Sequence, residues 1–95
     1  MAVIVGLLTL DMYVPDAVTL KDKRRVVKSL IERLSDKYNV SVAEVDQLDN
    51  CSCATLAIAY VANERAQVER VLSRIEAAVA RERHVVVESV LTEIV

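Results

Sequence analysis

Five basic side chains, Lys21, Lys23, Arg24, Arg25 and Lys28, fall within eight residues of a 95-residue chain that holds twelve Lys and Arg in all. A row of cations suits one chemistry above others. It neutralises several phosphates at once, with an affinity that falls steeply as salt rises. On a helix, Lys21, Arg24, Arg25 and Lys28 are spaced i, i+3, i+4, i+7 and share one face. Lys23 falls instead between Leu20 and Val27 on the apolar side, where its stem would pack and its ammonium would snorkel to water. Cations in a first helical turn oppose the helix dipole, so helix stability does not account for them. Two other readings fit the same residues. One is a solvated face partly balanced by Glu32 and Asp36. The other is pairing with Glu44, Asp46 and Asp49 of a neighbouring subunit.

The remaining chemical groups are sparse. Cys51-x-Cys53 resembles half of a soft-metal site, but a structural zinc site needs about four ligands and His84 is the only histidine. Two reduced thiols are the simpler reading, and no metal or cofactor is expected. His84 stands where a helix ends and a strand begins, and a capping or surface role suits it better than base catalysis, since no nucleophile lies nearby in sequence. Glu44 and Asp46 have the spacing of neighbours on one strand face and, with Asp49, form a loose acidic group. There is no Gly-rich phosphate loop, no HExxH and no GxSxG. A non-enzymatic protein is expected.

These groups must be held by a single small domain spanning residues 1–95. Hydrophobic residues make up 54% of the chain and charged residues 27%, a globular mixture, and the net charge is −2. Gly6 and Pro15 are the only residues of their types, so long elements and short loops are expected. No apolar run reaches the roughly 18–20 residues that cross a bilayer. The segment MAVIVGLLTLDM lacks a basic flank and a small-residue cleavage site. A cytoplasmic location is expected, with Cys51 and Cys53 reduced.

The pattern along the chain gives the elements. Residues 2–13 are β-branched and apolar on both alternating faces, as in a strand covered on both sides. Thr19 is placed to cap a helix. Leu20, Val27, Leu30, Ile31, Leu34 and Tyr38 then follow a 3.6-residue period that ends at Asn39. Residues 40–46 read as a strand in which the parity of Val45 suggests a bulge. Residues 53–62 read as a further strand. A second helix is expected after an Asn63 cap, with Val68, Val71, Leu72, Ile75, Ala78 and Val79 inward and an Arg65–Glu69 pair outside. Residues 84–95 read as a last strand.

The order βαββαβ, with right-handed crossovers, implies a ferredoxin-like α+β sandwich. Its four-stranded antiparallel sheet has order 4-1-3-2 and both helices on one face. The other face, being apolar along the first strand, should expose a patch that a partner covers, so a homo-oligomer is expected, most simply a two-fold dimer through the sheet face or an edge strand. Base stacking on the sheet is disfavoured, because the two central strands offer only Tyr13 and Tyr60, near their ends.

The stretch TLKDKRRVVKSLIERLSDKYNVSVAEVD resembles the YlxP-like family of small bacterial proteins. Thr19, Leu20, Lys21, Asp22, Lys23 and Arg24, then Asn39, Val40, Ser41, Val42 and Glu44, match its pattern. The loop QLDNCSCATL departs from the aromatic and basic loop common in that family. The resemblance implies a ferredoxin-like fold. Through the company its genes keep with translation factors, it also implies RNA or ribosome contact. It supplies no catalytic residues. The expected function is therefore RNA or ribosome binding by Lys21, Lys23, Arg24, Arg25 and Lys28. The alternatives are an assembly module working through the apolar sheet face, or a small-ligand regulatory domain.

Overall fold

The structure, a computed structural model, describes all 95 residues. Six elements follow one another: β1 (Ile4–Tyr13), α1 (Leu20–Tyr38), β2 (Ser41–Asp46), β3 (Cys53–Ala62), α2 (Arg65–Ala80) and β4 (Val86–Ile94). The strands form one antiparallel sheet in the order β2-β3-β1-β4, the ferredoxin-like arrangement that the element order implies. Alternation along β1 sends Gly6, Leu8, Leu10 and Met12 toward the helices, where all four are buried. They meet Leu56 and Ile58 of β3, Val27, Leu30 and Leu34 of α1, and Val68, Leu72, Ile75 and Val79 of α2. This single apolar layer is the core. Gly6 lies where α2 comes closest: a Cβ there would run into the side chains of Val68 and Leu72.

α1 begins with a reciprocal capping box. The Thr19 hydroxyl accepts from the Asp22 amide at 3.1 Å, and the Asp22 carboxylate accepts from the Thr19 and Val18 amides at 3.1 and 3.2 Å. These bonds hold the Asp22 carboxyl below the ordinary 3.8, the Thr19 amide contributing most. The helix stops at Asn39, which takes the left-handed conformation (φ 53°) that Asn tolerates. α2 starts one residue later than its sequence suggests. Glu64, not Asn63, occupies the capping position, and no side chain bonds the first turn. At its other end the amides of Arg81 and Glu82 close onto the carbonyls of Ala78 and Val79. The helix end therefore does not need His84, which lies exposed in the turn before β4.

The bulge in β2 is present, between Glu44 and Asp46. It overturns one expectation. Glu44 pairs with Leu56 and faces the helices, whereas Asp46 pairs with Thr55 and faces the opposite side. The extra residue, Val45, reverses the alternation, so the two acids do not share a face.

Candidate nucleic-acid interface

Lys21, Arg24, Arg25 and Lys28 lie along the outer face of α1 and are all exposed. None has a carboxylate within ion-pair distance; the ion pairs of the molecule are Lys23–Glu44, Arg33–Glu82, Arg65–Glu69 and His84–Asp16. Neither Glu32 nor Asp36 is within ion-pair distance of the row; Asp22, whose carboxylate caps the helix, feels it only through the charge of Arg25.

Lys23 departs from the row. Its side chain is fully buried and its ammonium does not reach water. The Nζ donates to Glu44 Oε2 at 2.6 Å, to the Gln47 carbonyl at 3.1 Å and to the Leu48 carbonyl at 3.5 Å. An ammonium has three donors, and all three are used. The expectation that it snorkels out to touch phosphate is corrected here. The reason is tertiary: regular alternation from Val42 sets Glu44 on the helix side, and the turn that follows the bulge brings the Gln47 and Leu48 carbonyls to the first turn of α1. Gln47, with φ 61°, is the residue that makes the turn.

Beside the row lies a recess of about 250 Å³ between α1 and the turn after α2. Arg25, Ser29 and Arg33 line one wall, His84 and Glu82 the other, and Val26, Leu30 and Val85 form the floor. Arg33 is tied to Glu82 at 2.5 Å and to the Ser29 hydroxyl at 3.3 Å. Arg25 is the unpaired cation of the recess. His84 sits 3.6 Å from Asp16 of the loop before α1. Helix spacing alone sets Arg33 beyond Arg25 and Ser29 on α1, but His84 and Glu82 reach this row only when α1 docks against the end of α2.

The distribution of charge is sharper in space than along the chain. All twelve Lys and Arg lie on residues 20–38 and 64–83, the two helices and their ends, against seven acids there, leaving +5. The strands and remaining loops carry seven acids and no Lys or Arg, leaving −7. The helix layer is basic, and the sheet offers a phosphate no permanent cation.

The open side of the sheet is correspondingly different. Asp11 stands on it, accepting from the Thr55 hydroxyl at 2.7 Å through one oxygen and from the Ser89 hydroxyl at 2.7 Å through the other. The Gln47 amide donates in turn to Thr55 at 3.1 Å. The Ser89 bond, then the Thr55 bond, hold the Asp11 carboxyl below its ordinary 3.8. Tyr60 turns its ring to the helix side, where its hydroxyl accepts from Gln67 at 2.8 Å, so Tyr13 is the only aromatic on the open face. Cys51 and Cys53 are free thiols, and no three His, Cys, Asp or Glu side chains gather as metal ligands would.

A family model described as "Protein of unknown function (DUF503)" matches residues 5–92. The chain belongs to this family. A curated relative, "Uncharacterized protein YlxP" of Bacillus subtilis (strain 168), is 34% identical over 71 residues, covering 75% of this chain and 77% of that protein. The YlxP-like resemblance of the α1 segment is thereby extended to most of the domain. Among solved structures, "De novo designed protein Foldit4" superposes over 98% of this chain and 96% of its own, with a TM-score of 0.56 and 14% identity. At that identity the likeness concerns the fold alone. No helix is long and apolar enough to cross a membrane.

Proposed function

We propose that this DUF503 chain is a non-enzymatic cytoplasmic protein that binds RNA, free or within a ribosomal particle, by holding backbone phosphates on α1. Lys21, Arg24, Arg25 and Lys28 are the contacts. The observation that carries the reading is that all four are exposed and none is paired with a carboxylate. Unpaired cations in a row repel one another, and a polyanion relieves that repulsion while releasing its own counterions. Lys23 is not a contact; it fixes the first turn of α1 to β2, so that the row is presented on a rigid element.

Anisotropy of a labelled structured RNA, and co-sedimentation with ribosomal subunits, test this at low and physiological salt. Four phosphate contacts give a log–log salt slope of about −3. The variant Lys21→Glu/Arg24→Glu/Arg25→Glu/Lys28→Glu should lose binding while keeping its helical circular dichroism. Binding that survives the four reversals would sink the reading.

A second reading, an assembly module, is favoured by a separate observation: apolar and small side chains dominate the open sheet face.

A further inference from the structure

Cross-strand pairing arranges the open face in rows that run across the strands. From one end they read Val61–Val5–Val95, then Ser41–Ala59–Leu7–Glu93, then Ala43–Ala57–Thr9–Leu91, then Asp46–Thr55–Asp11–Ser89. The bulk is uneven. In the middle rows, β2 and β3 present Ser41, Ala43, Ala57 and Ala59, a low shelf. Beside it β1 and β4 present Leu7, Thr9 and Leu91, a ridge.

We propose that this face is covered by a second copy of the chain, with the two-fold axis lying parallel to the strands, between β1 and β3. Such an axis lays β4 over the partner's β2 and β1 over its β3, keeping each row opposite itself. Every ridge residue then meets a shelf residue: Leu91 covers Ala43, Leu7 covers Ala59 and Thr9 covers Ala57, reciprocally in the two copies, as an isologous interface requires. Polarity matches as well as size. Asp11 lies over Thr55, and Glu93 lies over Ser41. A two-fold axis across the strands does worse. It would turn the rows end for end and set Asp11 against Leu7.

Three facts favour a second copy over another occupant. The face has no Lys or Arg, so a nucleic acid finds no permanent cation on it. Its central carboxylate is already held by two hydroxyls, so covering it leaves neither oxygen without a donor. Its extent is also sufficient. Four strands about 4.8 Å apart and some nine residues long give about 600 Å² a side, or about 1,200 Å² in total, the lower edge of stable specific interfaces. Face-packed sheets lie about 10 Å apart and rotated by about 30°. The rotation pivots on the middle row, so the Leu91–Ala43 contact moves by only a few ångströms.

The experiment uses the full chain. Sedimentation equilibrium should give twice the 10.5 kDa chain mass at tens of micromolar, and Leu91→Asp should return it to the single-chain mass with its circular dichroism unchanged. Position is read with a short bis-maleimide in a Cys51→Ser/Cys53→Ser background. Ala43 and Leu91 stand on opposite edge strands, too far apart for a short reagent to link within one chain. Mixed Ala43→Cys and Leu91→Cys chains should join efficiently, and each variant alone should not. A single-chain mass for the native protein at every concentration overturns the proposal. So does efficient joining of Leu91→Cys to itself.

Discussion

Lys23 is the residue whose role most depends on its surroundings. A buried ammonium loses its hydration, and only the Glu44 carboxylate and two carbonyls replace it. Lys23→Ala leaves Glu44 without its partner and should cost roughly 3–5 kcal/mol in urea unfolding. Lys21→Ala, two residues away on the exposed row, should change stability by less than about 0.5 kcal/mol. Replacing both partners, Lys23→Met with Glu44→Leu, should recover most of the loss, because no buried charge is then stranded. The two carboxyls held below 3.8, Asp11 and Asp22, act in the other direction along the pH scale. A depressed folded pKa stabilises the fold above the unfolded value, and this contribution disappears as pH falls through the folded one. The urea midpoint should therefore drop on acidification from about pH 5 to pH 2.5, and by less in Asp11→Asn/Asp22→Asn.

At the scale of elements, two close approaches set the geometry. α2 lies on β1 at Gly6, where an added methyl would come within 2.7 Å of Leu72 Cδ1 and closer still to Val68. Gly6→Ala should cost about 1–3 kcal/mol through overpacking, and a second change, Val68→Ala, should return part of it. α1 is aimed by its capping box, and Thr19→Ala should cost about 1 kcal/mol. Because the box and the Lys23 clamp fix the same first turn, Thr19→Ala combined with Lys23→Ala should cost less than the sum of the two single losses, as a double-mutant cycle in urea reads. The bulge at Val45 is the third determinant. It divides Glu44 from Asp46, giving one acid to the clamp and leaving the other on the open face.

Across the whole molecule, charge and apolar surface are separated. The helix layer is basic, and the sheet layer is acidic and apolar. A dimer closed through the sheets would carry its two α1 rows on opposite outer surfaces, so RNA binding and self-association would not compete. The α1 charge-reversal variant should keep the mass of the dimer, and Leu91→Asp should keep the affinity of a single chain for a short RNA. Native dimers should take up one short RNA per chain, two per dimer, as read by stoichiometric titration. One RNA per dimer would instead place the two rows on a common surface and contradict the sheet-to-sheet arrangement.

Much of the architecture is written in local periodicity. The 3.6-residue stripe of α1, the Thr19 cap, the Asn39 stop and the parity slip at Val45 concern residues close together in the chain. Their physics is therefore decided by near neighbours, and the order of elements then leaves few topologies open. The basic row on α1 was legible for the same reason, since i, i+3 and i+4 spacing alone puts Lys21, Arg24, Arg25 and Lys28 on one face. The fate of Lys23 was not. Its partners lie 21, 24 and 25 residues away, and its burial depends on where α1 docks and which way β2 is turned by its bulge. The same holds for His84 beside Arg25 and for the Asp11 bond to Ser89 across 78 residues. Sequence determined which side chains each element carries on which face. Only the packing of element against element decided which of those cations meet water and which meet a carboxylate, because desolvation and ion pairing are set by neighbours that the chain brings together from afar.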